Sequence, residues 1–235
     1  MLVAAAVCPC PPLLVPEVAG GAAAELDEAR AACDDALGVL TAARPDRLLV
    51  VGPAAQPERG AFPSGARGSL RGFGVDVGAR LGEGPPGERE LPPSLTIGAW
   101  LLERTGWAAA PVEGLGVGES LEPERCAAVG RELAAATDRL ALLVMGDGSA
   151  CRSSRAPGAY DERAAAFDEA AARALGEANT AALAALDAEL AEDLRAAGRS
   201  SWQLLAGAGE EAGLAGRLLY HEAPYGVGYF VASWS

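Results

Sequence analysis

The chain has 235 residues, 50% of them hydrophobic, and a formal net charge of −13 from 19 basic and 32 acidic side chains. Length and apolar content are enough for one substantial core, so residues 1–235 read as a single domain. The acidic balance, with every basic residue an arginine and the arginines dispersed, excludes a nonspecific grip on nucleic-acid phosphates.

The acids fall mostly on expected helix surfaces, where a solvated face explains them better than a metal cluster. No apolar run reaches the roughly 20 residues that span a bilayer, so no membrane partner is expected. Met1 to Val7 lacks the positive n-region of a signal peptide, which points to a cytoplasmic protein. The 5 cysteines, an odd number without an export signal, read as reduced thiols rather than a disulfide framework.

In chain order, Leu2 to Val7 has no polar break and is bounded by prolines, as a strand buried on both faces should be. It runs into Cys8-Pro9-Cys10-Pro11-Pro12, where the prolines forbid a helix. A helix is expected over about Gly21 to Ala42, with Leu26, Ala29, Cys33, Leu37 and Leu40 as its core stripe, so Cys33 reads as a packing residue. Arg47 to Gly52 is a second buried strand, closed by Pro53.

Residues 54–93 are rich in Gly, Pro, Arg and Ser and read as a long, partly ordered connection with one short strand at Gly74 to Val77. A floppy insertion is the simpler account of it, a lid over a site the more specific one. Ser94 is placed as the cap of a helix reaching Arg104, with Leu95, Trp100 and Leu101 toward the core. Pro123 suits the first turn of the next helix, whose stripe is Cys126, Val129 and Leu133.

Arg139 to Met145 is a third buried strand, running into the turn Gly146-Asp147-Gly148-Ser149-Ala150-Cys151. A long helical section follows, with Tyr160, Ala164, Phe167 and Ala171 as one stripe and Leu183, Leu186, Leu190 and Leu194 as another. Gly198 ends it, a short helix carries Trp202 and Leu205, and two strands, Arg217 to His221 and Gly226 to Ala232, close the chain. Strands alternating with helices predict an α/β fold: a central, largely parallel or mixed sheet flanked by helices, with an antiparallel C-terminal pair.

Such sheets bind ligands outside the carboxyl ends of their strands. The loops Cys8 to Pro12, Pro53 to Gln56 and Gly146 to Cys151 should therefore gather on one edge, with His221 to Tyr225 as a fourth wall. The cleft residues expected there are Cys8, Cys10, Pro12, Pro53, Ala54, Gly146, Ala150, Cys151 and Tyr225. Cys8, Cys10, Cys151 and His221 have the donor types for zinc or copper(I), although two core thiols and a structural histidine are the simpler account. Asp147 and Glu222 are the candidate acid/base pair and Ser149 the candidate hydroxyl, against the simpler reading that loop carboxylates cap helices or bond backbone amides.

Strand-then-CPCPPLLVPE, strand-then-VVGP, strand-then-MGDGS, the Phe167-Asp168 helix and the closing PYGVGYFVASW together resemble the class III extradiol ring-cleavage dioxygenase superfamily (LigB/Memo-type), whose fold the Memo proteins share. The resemblance spans almost the whole chain and keeps its elements in order, although each motif is short. It implies a non-haem ferrous ion held by two histidines and a glutamate, with a catalytic histidine beside it. At the corresponding positions this chain has Cys10, Ala54 and, for the catalytic base, Ala150, while Glu222 takes the glutamate's place.

Alanine ligates no metal, and a thiolate with one carboxylate does not rebuild the facial triad, so ferrous iron is not expected. A metal at Cys10, His221 and Glu222, zinc or copper in kind, stays open. The resemblance thus leads to a protein that has lost the iron site and uses the cleft to bind a small molecule or a protein partner. An enzyme of the same fold with cysteine/carboxylate or thiol-metal chemistry is the alternative, and a ring-cleaving dioxygenase completed by a second polypeptide a further one. A homodimer is the default assembly.

Overall fold

A computed structural model describes residues 1–235. The first strand, β1 (Leu2–Cys8), leads through a 3-10 turn at Pro12–Leu14 into the single-turn helix α1 (Pro16–Ala19). A 3-10 stretch over Gly20–Leu26 then takes the place of the expected first helical turns, and α2 (Asp27–Ala42) begins after it. Strand β2 (Arg47–Pro53) lies where its apolar run placed it.

The segment 54–93 is ordered, contrary to the sequence expectation. It forms β3 (Gly60–Phe62) and a hairpin of β4 (Arg67–Ser69) and β5 (Gly78–Arg80). The strand expected at Gly74 to Val77 is instead the hairpin's turn, with Gly74 at φ 86°. Phe62, Leu70, Leu81 and Leu91 are buried, each contributing roughly 1.5–3 kcal/mol of transfer free energy. Arg89 covers the Phe62 ring at 4.4 Å and donates to the carbonyls of Arg59 and Ala61. Sparse large residues, each fully used, hold a segment whose composition reads as a linker.

Helix α3 (Pro93–Arg104) starts two residues earlier than expected, and Ser94 is not its cap. The Ser94 hydroxyl donates instead to the Pro53 carbonyl at 2.6 Å, tying the helix to the end of β2. Strand β6 (Val112–Val117) escaped the sequence reading because Glu113, Gly114 and Gly116 interrupt its apolar run. Helix α4 (Pro123–Ala135) and strand β7 (Leu140–Met145) follow as expected.

The long helical section is three helices, α5 (Arg163–Gly176), α6 (Thr180–Ala184) and α7 (Ala188–Asp193). Asn179 accepts from Ala182 N and Asp187 from Leu190 N, both at 3.0 Å. These side-chain caps restart the helix twice, overriding a leucine spacing that reads as continuous. Tyr160, expected on the first stripe, precedes α5 and is 64% exposed. Helix α8 (Arg199–Gly209), strand β8 (Gly216–Glu222) and strand β9 (Tyr229–Trp234) complete the chain.

The sheet has seven strands in the order β3-β6-β2-β7-β1-β9-β8. The central β6, β2, β7 and β1 are mutually parallel, while β3, β9 and β8 each pair antiparallel. This is the mixed α/β sheet expected, covered on both faces. One core holds Cys8, Cys33, Leu37, Leu95 and Met145 beneath α2 and α3. The other holds Val7, Val144, Phe167, Leu205 and Phe230 beneath α5 and α8.

Helix α8 lies against α4 at backbone distance: a Cβ on Gly130 would stand 2.0 Å from the Leu204 carbonyl, and one on Gly207 2.0 Å from that of Ala127. Only glycine permits this approach, and it helps fix where α8 begins. Gly198, just before α8, donates to the Asp147 carbonyl at 2.8 Å, so the helix starts at the loop that follows β7. No helix is long and apolar enough to cross a membrane.

Candidate functional site

Because β1, β2, β6 and β7 run parallel, the loops after them emerge on one edge, and there the chain concentrates its polar groups. Gly146 N donates to the Cys8 carbonyl at 3.0 Å, extending the β1–β7 ladder into the loops. Asp147 then reaches across and its Oδ1 accepts from Cys10 N at 2.8 Å. Burial pushes the Asp147 carboxyl up to about 7, and the Cys10 amide only partly opposes it. The Cys10 thiol is pushed well above the ordinary thiol range by burial, then by the charges of Asp147 and Glu119. Tyr229, buried beside them, is raised for the same reasons. This corner therefore presents a protonated thiol and a carboxyl poised near neutrality.

Ser149 is no free nucleophile. It is fully buried, and its N and Oγ donate to the two oxygens of Asp168, each at 2.8 Å. Arg152 Nη1 donates to the same carboxylate at 2.9 Å. A Cβ on Gly228 would stand 2.5 Å from Asp168 Oδ2, so the glycine lets the closing strand press against this carboxylate. Asp168 thus anchors the Gly-Asp-Gly-Ser turn, and the acid/base trio Asp147, Ser149 and Glu222 does not assemble. The helical spacing of Ala164, Phe167, Asp168 and Ala171 puts an acid on a buried face, which is the signal that marks Asp168 in the sequence.

The other expected residues separate by strand and by face. Cys8 is buried among core side chains, where a hydrogen bond with Cys33 and then burial raise its thiol well above the usual range. Cys151 faces the other core, its Sγ 3.5 Å from the Leu194 carbonyl. Pro12 begins the 3-10 turn after β1, and Tyr225 donates to Glu25 Oε2 at 3.0 Å. Ala150 N donates to the Leu194 carbonyl at 2.8 Å, holding that loop against α7.

His221 packs edge-on against Phe230 at 5.1 Å and lies 3.9 Å from Glu169 of α5. Glu222, the next residue of β8, projects from the opposite face and is exposed. Strand β9 separates β8 from β1, and β7 stands between β1 and β2, which sets β8 roughly 10 Å from β1 and roughly 19 Å from β2. Cys10, His221 and Glu222 therefore cannot meet as metal ligands, and Cys8, Cys10, Cys151 and His221 are likewise apart. No group of three His, Cys, Asp or Glu side chains is arranged to hold a metal ion. With methyl groups at Ala54 and Ala150, the residues present do not fit a ferrous triad.

Beyond Pro53 and Ala54, both expected at the cleft, lies a cavity of about 250 Å³ whose charged lining was not expected. Ala54, Arg59, Glu119, Glu192, Arg195 and Arg199 line it. Arg199, the first residue of α8, is only 4% exposed, and its guanidinium donates to the carbonyls of Leu121 and Glu119 and to Gln203 Oε1. Its Nε has no partner. No ion pair involves Arg59, Arg195 or Arg199. A cation at a helix N-terminus also opposes the dipole there; that breach of a local rule, just after Gly198, is the signal that marks Arg199 in the sequence.

No family model matches the chain, and no curated protein matches it. Among solved structures it is similar to the crystal structure of the uncharacterized protein JW3007 from Escherichia coli K12, with a TM-score of 0.59 over 99% of each chain at 14% identity. At that identity the likeness speaks for the fold alone.

Proposed function

We propose that this chain is a divergent protein of the class III extradiol dioxygenase type that binds a small molecule at its strand-end cleft and does not carry out iron-dependent ring cleavage. The observation that carries the reading is the cavity beside Ala54, at the edge where sheets of this topology take ligands. Its concavity favours a small molecule over a protein surface. The methyl groups at Ala54 and Ala150 and the distance of β8, which carries Glu222, from β1 support the loss of the iron site, and no step of ring cleavage is derived from these residues.

Oxygen uptake on a catechol, measured with protein supplied with ferrous iron, tests the second half of this reading. The expected result is no uptake above the iron-only blank. Stoichiometric iron with catechol-dependent uptake would overturn it.

A second reading, an enzyme of the same fold with altered chemistry, is favoured by Asp147, whose carboxyl near 7 beside Cys10 suits proton transfer. It requires a turnover that Asp147→Asn abolishes while leaving ligand affinity in place.

A further inference from the structure

We infer that the cavity beside Ala54 is an oxyanion site, taking a small multiply charged phosphate or carboxylate ligand between Arg59, Arg195 and Arg199. This rests on the reading of the cleft as a small-molecule site and names the chemistry of its ligand. Arg199 is the central observation. The other buried arginine, Arg30, is 3% exposed and pairs with Asp27 at 2.6 Å. Arg199 is equally buried, has no carboxylate, and keeps an unpartnered Nε.

Desolvating a guanidinium is costly unless a counter-charge or a full set of hydrogen bonds offsets it. Here three neutral acceptors offset part of that cost, and the N-terminal dipole of α8 adds to it. A bound anion would supply the missing counter-charge and profit from the same dipole.

Arg59 and Arg195 bring two further guanidinium groups to the wall, each held only by a long contact to a backbone carbonyl, Ala54 at 3.5 Å and Pro157 at 3.4 Å. Both residues are exposed, so neither guanidinium is sealed from a ligand in the cavity. Glu119 and Glu192 also line the cavity. They leave the three arginines with a net charge of only one positive on the wall, so the ligand's anionic end must meet arginine, and hydroxyl or amino groups suit the carboxylates.

Calorimetric titration at fixed ionic strength tests this, using inorganic phosphate, oxalate and uncharged catechol as probes. The proteins are the wild type, Arg59→Ala, Arg195→Ala and Ala54→Trp. Phosphate or oxalate should bind the wild type saturably, and whichever binds more tightly identifies the oxyanion class. Either arginine variant should weaken that binding about tenfold, and Ala54→Trp should abolish it. The circular dichroism spectra of the two arginine variants, whose side chains are exposed, should be unchanged.

Anion binding that survives both arginine variants overturns the inference. So does wild-type protein that ignores phosphate and oxalate but takes catechol in an Ala54→Trp-sensitive way, a result that leaves the small-molecule cleft standing. Binding of none of the three probes removes both readings.

Discussion

Asp168 and Arg199 are both charged, both buried and both attached to the loop that follows β7, yet their surroundings are opposite. Asp168 accepts from Ser149 N, Ser149 Oγ and Arg152 Nη1, and Gly228 closes over it. Arg199 has only neutral acceptors around it, an unpartnered Nε, and a place in the wall of a cavity. A buried charge with its partners in place is part of the scaffold. One left without its counter-charge beside an opening is available to a ligand.

The sharpest way to break this comparison is to remove each charge in turn. Asp168→Ala leaves Ser149 buried without its acceptor and Arg152 without its partner, so unfolding free energy should fall by about 3 kcal/mol or more. Urea denaturation measures it, and a loss below about 1 kcal/mol would deny Asp168 its structural role.

Asp147 stands between the two and gives the next effect. Its folded-state value of about 7 lies above the ordinary 3.8, so the folded protein holds more protons than the unfolded chain between those limits. Its contribution to stability is complete below about pH 4 and is lost as pH rises toward 7, with a slope that approaches about 1.4 kcal/mol per pH unit. The difference between wild type and Asp147→Asn across that window isolates this group; parallel stability curves would mean that the carboxyl titrates normally.

The smallest effect is expected at Arg199. Replacing it with methionine removes an unpaired buried charge and keeps most of the volume but leaves the Leu121 and Glu119 carbonyls and Gln203 Oε1 without their donor, so the ligand-free protein should lose about 1–2 kcal/mol, less than Asp168→Ala. A loss as large as that of Asp168→Ala would place both charges in the scaffold.

How far the site could be read in advance depends on the range of the signal. β1, β2 and β7 are uninterrupted apolar runs, and a strand buried on both faces has no other way to look. β6 is equally central, but Gly114, crowded by Phe62, Leu81 and Leu95, and Gly116, crowded by Ala54, erase its pattern. The hairpin within 54–93 was hidden because its order comes from partners far away in the chain. At the strand ends, the Cys10–Asp147 contact lies within loops the sequence had marked, whereas His221 and Glu222 were placed there on their chemistry and the sheet sends them to opposite faces.

Local pattern alone therefore determined the α/β class, the central strands and the edge where the polar loops gather. Those properties follow from hydrophobic period, turn residues and residue identity, which act over a few positions. Tertiary structure alone decided that Ser149 belongs to Asp168, that Cys8 and Cys151 face different cores, and that Arg199 is buried without a counter-charge. Each depends on which side chains meet across the sheet, and the order of strands and the close crossing of α4 and α8 settle that at distances the sequence does not display.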